Sequence, residues 1–417
     1  MADLDHVEAP VATEPEPSDP NKIVDTPITW EIVEQDFQKA FNTTATIGPN
    51  RTAKVIGDGR GFVSKMAQVE FDWTTDTEKL PKVAVLKITT CDKMRIICEQ
   101  VMKIDFEGMK HMAGKVHDSE WNLYDQAANN EEFVRNMRLS KYYCGRGFDY
   151  GGIEAGYLAI ELIENFAHRH FYHTVQDSAA REIVGVLAKL TAYSLKHPEI
   201  VDKMDIRWMD EAMGQFVNRQ KLETELDNMA EKYPDRKEQV EVFRSVLWAY
   251  DTPEVYLKQT AAFGRKILVH GDMWPGNIIW DKDAKGDYHV RHLIDWQVVH
   301  LGTPLEDLLR ILSSAVTPEN YKDHRDSYLE HFYDTLKHEA PACELPWASL
   351  SELIEQYEKF VPLIAIAFMP MFMQMEEMLF RTCDASEKEE CLKCFYSKIF
   401  NTFDETEACI KKWWQHK

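Results

Sequence analysis

Between Leu268 and Asp307 the chain carries polar side chains of the kind that transfer protons or bind metal ions. The segment is LVHGDMWPGNIIW and, after a short gap, HLIDWQVVHLGTPLED. Asp272 follows an apolar run, Asn277 comes five residues later, and Asp295 ends a second apolar run. One carboxylate could receive the proton of a substrate hydroxyl, while an amide oxygen and a second carboxylate could bind Mg²⁺. This set is typical of phosphoryl transfer, in which positioning and charge neutralisation supply most of the catalysis.

A glycine-rich segment nearer the N-terminus is a candidate phosphate-binding turn. It lies in VIGDGRGFVSKMAQVEFDW, where three glycines precede alternating apolar and polar residues, a pattern that predicts a turn followed by a β-strand. The glycines are Gly57, Gly59 and Gly61. Glycines let backbone N–H groups approach an anion closely. The pattern is neither GxxxxGK[ST] nor a glycine fingerprint followed by a helix, and a hairpin turn alone would also explain it.

Lys87 lies in a second predicted strand, VAVLKI, among apolar neighbours. A lysine in such a strand must extend to solvent or meet an anion, and a position facing a glycine loop suits nucleotide phosphates. Glu120, in the predicted helix GKVHDSEWNLYDQ, could hold this lysine through an ion pair. A solvated helix carboxylate is the structural alternative for Glu120.

The elements that must position these residues divide the chain into three parts. Residues 1–27 are rich in Pro, Asp and Glu and poor in large apolar residues, which predicts a disordered acidic tail. Residues 28–165 contain the glycine turn and the short strands, and residues 166–417 contain long segments with helical spacing. We therefore expect an N-terminal nucleotide-binding lobe and a C-terminal helical lobe with the catalytic residues and the acceptor pocket.

The chain is strongly acidic, with 48 Lys and Arg against 70 Asp and Glu and a net charge of −22. This charge repels phosphate backbones and anionic membranes, so we expect no nucleic-acid partner. The apolar segment VPLIAIAFMPMFM, from Val361 to Met373, is too short to span a membrane and predicts a buried helix. Eight scattered Cys and no secretory signal favour a cytoplasmic protein with reduced thiols.

Three further features have both a structural and a functional interpretation. Asp307, at the start of the helical segment EDLLRIL, is more typical of a residue that braces a loop than of a third catalytic acid. Cys391 and Cys394 form a CxxC, but their segment has helical spacing and fits no zinc pattern, which favours free core cysteines. A methionine-rich run could line an adaptable acceptor pocket, although helix core is the simpler explanation. Its members are Met369, Met371, Met373, Met375 and Met378.

Together these motifs resemble the choline-kinase-like (CHK) and ecdysteroid-kinase-like proteins, in particular the nematode CHK-domain proteins. These form a branch of the aminoglycoside phosphotransferase and protein-kinase-like superfamily. HGDMWPGN, LIDWQ and GTPLEDL carry the resemblance, which covers residues 30–410. It implies an α+β, two-lobed protein-kinase-like fold, with an antiparallel β-sheet in the small lobe and a larger, mainly helical lobe. It also implies ATP- and Mg²⁺-dependent phosphorylation of a small-molecule hydroxyl on a choline-like alcohol, a sterol or ecdysteroid-like molecule, or a xenobiotic conjugate.

The resemblance implies separate roles for the residues of the catalytic segment. Asp272 matches the catalytic aspartate, which orients and deprotonates the acceptor hydroxyl. Asn277 and Asp295 match the metal ligands. In LAKLTAYSL, Thr191 stands where relatives often have His, which puts a contact through that position in doubt.

For the nucleotide, the resemblance implies that Lys87 contacts the phosphates and that Glu120 is its partner. The backbone from Glu161 to Ile163 would receive the adenine ring, and Ser64 falls where the family's loop contacts phosphate. The glycine loop departs from the protein-kinase pattern, since it is GDGRGF.

Other departures concern the substrate and the reaction. The chain has no DFG and no activation-loop signature, which argues against a protein substrate, and the HRD at 324–326 follows LIDWQ in a polar helical segment, as expected of a chance match. Two other functions stay open, a catalytically inactive kinase-like nucleotide-binding module and nucleotidyl transfer. The complete set of charged residues disfavours the inactive module. The sequence does not determine an oligomeric state.

Overall fold

The computed structural model describes residues 19–57, 64–91, 95, 106–201, 218–263, 267–374, 376–380 and 383–415. Most of the predicted acidic tail, with Gly59 and Gly61, lies outside these ranges. In the described part of that tail, Ile23 is buried in the core and Lys22 forms a β-bridge with Thr29. Residues 19–27 therefore contribute to packing, because one apolar side chain among the polar residues finds a buried position.

The first of two compact units comprises the chain up to Trp121 together with Tyr142–Leu162. Its centre is a five-stranded antiparallel sheet in the order β1-β2-β3-β5-β4. The strands are β1 (Thr52–Val55), β2 (Ser64–Glu70), β3 (Val83–Thr90), β4 (Tyr142–Arg146) and β5 (Ala155–Ile160). Helix α1 (Trp30–Phe41) lies in this unit, and α2 (Phe106–Ala127) begins in it. The small antiparallel sheet predicted from the sequence is present.

The alternation of side chains in this sheet decides where Lys87 can point. In β3, Leu86 and Ile88 are fully buried in a core that also contains Val33 and Phe37 of α1. Successive side chains of a strand point to opposite faces. Lys87 therefore projects from the face opposite to this core, and α2 supplies its partner there.

Helix α1 begins directly after a threonine cap. The Thr29 side chain accepts a hydrogen bond from the Ile32 N–H, which satisfies a backbone donor at the helix start. The helix ends at Asn42, which has left-handed backbone angles (φ 48°).

The second unit comprises Asn122–Lys141 and the chain from Ile163 onward, and its described residues are mainly helical. Its helices are α3 (Glu131–Asn136), α4 (Asp177–Lys196), α5 (Pro198–Val201), α6 (Arg219–Lys232), α7 (Lys237–Arg244), α8 (Pro253–Ala261), α9 (Pro304–Ala315), α10 (Pro318–Glu339), α11 (Leu350–Gln374), α12 (Glu376–Phe380) and α13 (Lys388–Trp413). The α+β class is thus confirmed, with a small sheet-containing part and a larger helical part.

Two short antiparallel strand pairs in the second unit hold the predicted catalytic segment. Their strands are β6 (Ile267–Val269), β7 (Ile278–Lys282), β8 (Tyr288–Leu293) and β9 (His300–Gly302), with β6 paired to β9 and β7 to β8. All three residues of β6 are buried, so the chain that leaves this strand is anchored at its start.

The long apolar segment from Val361 to Met373 lies inside α11, and Val361, Leu363 and Ile366 are fully buried. The predicted buried helix is therefore present. Across the described part of the chain, the structure contains no helix that combines the length and the apolar character needed to cross a membrane.

Candidate active site

His270 connects the HGD part of the predicted catalytic segment to the LIDWQ part. Its ring is fully buried, and Nδ1 accepts a hydrogen bond from the Asp272 backbone N–H (3.3 Å). This contact assigns the hydrogen to Nε2, which donates to the Ile294 carbonyl oxygen (3.0 Å). The imidazole therefore fixes the backbone of Asp272 relative to the residue that precedes Asp295.

The residue between His270 and Asp272 must be glycine. Gly271 has φ +80°, and a Cβ added there would lie 2.4 Å from the Val298 carbonyl oxygen. The left-handed conformation and the close backbone approach both exclude larger residues. This explains why a glycine separates the histidine from the aspartate in the HGD motif.

Asn277 and Asp272 are in direct contact. The Asn277 amide nitrogen, in a short 3₁₀ turn (Pro275–Asn277), donates to the Asp272 carbonyl oxygen (2.8 Å) and to Asp272 Oδ2 (3.0 Å). The turn is anchored because the indole N–H of Trp280 donates to the Pro275 carbonyl oxygen (3.0 Å). With its nitrogen directed at Asp272, Asn277 has its amide oxygen left as the atom suited to a cation.

Asp295 follows β8 in a left-handed backbone conformation (φ 64°), which is uncommon for a residue with a side chain. Its Oδ2 accepts a hydrogen bond from the Gln297 side chain (3.4 Å). Burial raises the pKa of Asp272, the Arg310 cation opposes this shift, and the Asp295 carboxylate reinforces it. The two carboxylates are therefore close enough to interact.

Arg310, in α9, is the cation beside Asp272. Its Nη1 lies 3.6 Å from Asp272 Oδ1, and its side chain is only 10% exposed, against 30% for that of Asp272. The pair forms an ion pair at a separation longer than a direct hydrogen bond. Sequence reasoning missed Arg310, although helical spacing places it one turn after Asp307 on the same helix face.

Asp307 braces the loop that carries Asp272. Its two carboxylate oxygens accept the backbone N–H groups of His270 (2.7 Å) and Gly271 (2.9 Å). Burial, together with the neighbouring Glu306, raises the pKa of Asp307 to about 7, although both N–H groups oppose this shift. The predicted structural role of Asp307 is confirmed.

In the first unit, Lys87 and Glu120 form the ion pair that the sequence predicts. Lys87 Nζ lies 2.6 Å from Glu120 Oε2, and their side chains are 13% and 4% exposed. The solvated alternative for Glu120 is therefore wrong. This close pair is typical of a lysine that is held in position by its neighbour.

The residues around Lys87 form a buried hydrogen-bond chain. The Ser64 and Thr89 hydroxyls are 3.1 Å apart, Thr89 contacts His117 Nδ1 (3.0 Å), and His117 Nε2 donates to the Arg146 carbonyl oxygen (2.9 Å). Burial lowers the pKa of His117 to about 4, and nearby Lys87 contributes to the shift although the Arg146 carbonyl opposes it. His117 is thus neutral near pH 7. Sequence reasoning missed it, although it lies one turn before Glu120.

The remaining predicted nucleotide-binding positions lie at the ends of strands. Gly57 follows β1 with φ +70°, which favours glycine, and a Cβ there would meet no atom within 4 Å. Glu161 directly follows β5 in the first unit. Ile163 is the residue at which the chain returns to the second unit.

The chance HRD match and the departure at Thr191 both lie at positions with structural partners. The HRD at 324–326 lies within α10, where the guanidinium of Arg325 pairs with Glu358 and Glu405 (both 3.1 Å). Thr191 is buried in α4, and its hydroxyl donates to the Leu187 carbonyl oxygen one turn earlier (3.1 Å).

A group of potential metal ligands lies elsewhere in the second unit. Ligand atoms of His173, Glu387 and Cys391 lie within 4.8 Å of one another. However, His173 Nδ1 accepts the His170 backbone N–H (2.9 Å), and burial lowers the pKa of His173 to about 4. The neutral ring then carries its hydrogen on Nε2, and the His170 N–H already occupies Nδ1, so both ring nitrogens are engaged without a metal. Cys391 is buried, as expected of a core cysteine, and Cys394 is half-buried.

Comparison with known proteins identifies two relatives in Caenorhabditis elegans. "Uncharacterized oxidoreductase dhs-27" is 22% identical over 223 residues, which are 50% of this chain and 26% of that protein. "Uncharacterized kinase-like protein D1044.1" is 25% identical over 125 residues, which are 30% of this chain and 32% of that protein. The chain therefore spans only about a quarter to a third of these relatives.

Among solved structures, a Plasmodium vivax ethanolamine kinase is 10% identical, with a TM-score of 0.42 over 84% of this chain and 81% of that one. The GDP and kanamycin complex of APH(2″)-IIIa is 13% identical, with a TM-score of 0.42 over 88% of this chain and 98% of that one. Both proteins are small-molecule phosphotransferases. A family model described as "Uncharacterized oxidoreductase dhs-27" matches residues 18–412. Since this match covers most of its length, the chain belongs to the family described as Uncharacterized oxidoreductase dhs-27.

Proposed function

We propose that this chain is a small-molecule kinase that transfers the γ-phosphoryl group of ATP to a hydroxyl acceptor, with Mg²⁺ as the metal. The observation that carries the proposal is the contact of Asp272 with Asn277 beside the Asp295 carboxylate. It provides one proton acceptor and two oxygen donors in one place, which phosphoryl transfer requires.

The donor set fits Mg²⁺. Asn277 offers an amide oxygen and Asp295 a carboxylate, and hard divalent cations prefer oxygen ligands of this kind. A cation held there would also relieve the repulsion between Asp295 and Asp272, which contributes to the raised pKa of Asp272. When bound, Mg²⁺ would neutralise charge on the phosphate oxygens of the nucleotide.

Asp272 acts on the acceptor. Its carboxylate accepts the proton of the acceptor hydroxyl, and the hydroxyl oxygen forms a bond to the γ-phosphorus. The bond from that phosphorus to the oxygen bridging it to the β-phosphate breaks, and ADP leaves with the electron pair. A carboxyl with a raised pKa suits this task, because a stronger base removes the proton more readily.

The first unit supplies the nucleotide-binding groups in this proposal. Lys87 contacts the phosphates while Glu120 holds its ammonium group in place. Gly57 and Ser64 flank the glycine loop over the phosphates, and the backbone from Glu161 to Ile163 receives adenine. Residues 28–165 then form the nucleotide-binding lobe, and residues 166–417 form the catalytic and acceptor lobe.

The name of the relative dhs-27 suggests redox chemistry, but the fold gives it no support. A dinucleotide-binding fold is built on a parallel sheet with crossover helices. In the ranges that the structure describes, every pair of named strands is antiparallel. A kinase function therefore accounts better for the polar residues than an oxidoreductase function does.

Substitution of Asp272 tests this proposal. With ATP, Mg²⁺ and a panel of alcohols, sterols and glycosides, we expect acceptor-dependent ADP release from the wild type. Asp272→Asn should lower kcat about 10²- to 10⁴-fold, the usual contribution of a general base, while ATP still binds. Asp281→Asn is the matched control, because Asp281 lies in the same segment with a side chain that is 53% exposed. Unchanged turnover by Asp272→Asn would contradict the assignment.

A further inference from the structure

A cavity lies beside Asp272, entirely within the second unit. Met273 and Trp274, which follow Asp272, are in its wall. Nine of its twelve lining residues are apolar or aromatic, and the polar ones are Arg310, Ser313 and Thr402. A mainly apolar cavity with a few polar groups is typical of a small-molecule site.

Arg310 presents a buried donor in this wall. Within the part of the chain that the structure describes, its Nε is buried without a hydrogen-bond partner. The side chain is only 10% exposed, so water does not reach it readily. A buried donor of a charged group is costly to leave unpaired, which indicates that Arg310 is kept for a role at the site rather than for stability.

The guanidinium of Arg310 is also fixed in orientation. Its central carbon lies 3.5 Å from the ring centre of Phe368 in α11, and its Nη1 lies 3.6 Å from Asp272 Oδ1. Stacking on the ring leaves the N–H groups at the guanidinium edge for polar partners. The same contact occupies one face of an aromatic ring that could otherwise receive a cationic ligand.

The charges at the cavity already balance. The lining contains no Asp or Glu, and the one charged lining residue, Arg310, is offset by Asp272 next to it. A quaternary ammonium would meet the Arg310 cation, and the Asp272 carboxylate beside it is already paired with that cation. An uncharged alcohol would instead accept a hydrogen bond from the accessible edge of the Arg310 guanidinium and direct its proton to Asp272.

We propose that Arg310 is a substrate-contact residue that, with Asp272, holds the acceptor hydroxyl and makes the cavity select uncharged, mainly apolar alcohols over cationic ones. This inference rests on the proposed kinase function. The hydroxyl proton passes to Asp272, the alcohol oxygen binds the γ-phosphorus, and ADP leaves as that phosphorus loses its bond to the bridging oxygen.

Choline and its carbon isostere 3,3-dimethylbutan-1-ol form a matched pair of acceptors, since they differ mainly in charge. With Mg²⁺ and ATP, we expect kcat/KM for the isostere to exceed that for choline at least about tenfold in the wild type. In Arg310→Met this preference should fall to within about threefold, while Arg219→Met, at an exposed arginine, should keep it. An equal or greater kcat/KM for choline in the wild type would overturn the inference.

Binding separates this inference from the function on which it rests. Saturation-transfer NMR on the wild type should detect the isostere and not choline, and Thr402→Trp, which fills the cavity, should abolish the isostere signal. Selective binding without phosphorylation of any alcohol would contradict the kinase function and leave the selectivity standing. Binding of choline as strong as that of the isostere, or binding of neither compound, would contradict the role of Arg310.

Discussion

At the scale of single residues, the site depends on the pKa of Asp272, which some neighbours raise and one lowers. Burial and the Asp295 carboxylate raise its pKa, and the Arg310 cation limits that rise. The hydrogen bond from Asn277 holds the carboxylate in one orientation (3.0 Å). The same neighbours that tune the proton acceptor thus also fix its position.

The Arg310 cation gives a pH prediction. Protonated Asp272 cannot accept a proton, so kcat/KM should fall as the pH drops through the raised pKa of Asp272. Arg310→Met removes the cation that lowers this pKa, so the acid limb should move to higher pH. The profile of kcat/KM against pH for an uncharged acceptor measures this shift. An acid limb that stays in place, or moves to lower pH, would show that Arg310 does not act on Asp272.

At the scale of elements, the start of helix α9 organises the loop after β6. Asp307, in the first turn of α9, accepts two backbone N–H groups of that loop, and His270 links the loop to the end of β8. Asp307 lies nearly forty positions after the backbone groups that it binds, and Ile294 lies 24 positions after His270. The position of Asp272 therefore depends on α9 and β8 more than on its own neighbours in sequence.

The raised pKa of Asp307 also predicts how the free energy of unfolding changes with pH. Because its pKa of about 7 in the folded protein is raised above the ordinary value, the folded state binds this proton more tightly than the unfolded state. The resulting stabilisation is complete below the ordinary pKa and is lost as the pH rises through about 7. Relative to Asp307→Asn, which does not titrate, the wild type should lose up to roughly 4 kcal/mol between about pH 4 and pH 8. Urea unfolding at several pH values measures the difference, and a constant difference would contradict the raised pKa.

The β3–α2 ion pair predicts a non-additive effect on stability. Lys87→Met takes the cation away from a carboxylate that is only 4% exposed, so it should cost roughly 3–5 kcal/mol. Adding Glu120→Gln should restore part of that free energy of unfolding, because the charge left behind is removed as well. The control is the cycle for Lys110 and Glu154, where the carboxylate is 46% exposed and the coupling should be much weaker because solvent screens the pair. Additive effects of Lys87→Met and Glu120→Gln would contradict the argument.

At the scale of the whole molecule, the sequence predicts contacts that have a local signal. The alternation in β2 follows from the strand period, and the resemblance to kinase-like proteins implies the pairing of Lys87 with Glu120. The stacking of Arg310 on Phe368 joins α9 to α11, and no periodic pattern links those positions. Contacts of that kind arise from tertiary packing, so this stacking could not be predicted from the sequence, although Met369 of the methionine-rich run does line the cavity.

The most direct test of the account identifies the product formed from ATP, Mg²⁺ and an uncharged alcohol. Mass spectrometry should find the alcohol heavier by one phosphoryl group, in an amount equal to the ADP released. Chelation of Mg²⁺ should abolish the product, and Asp272→Asn should slow its formation about 10²- to 10⁴-fold. An alcohol that carries a nucleotidyl group, or nucleotide binding without any modified alcohol, would contradict the claim that this chain is a small-molecule kinase.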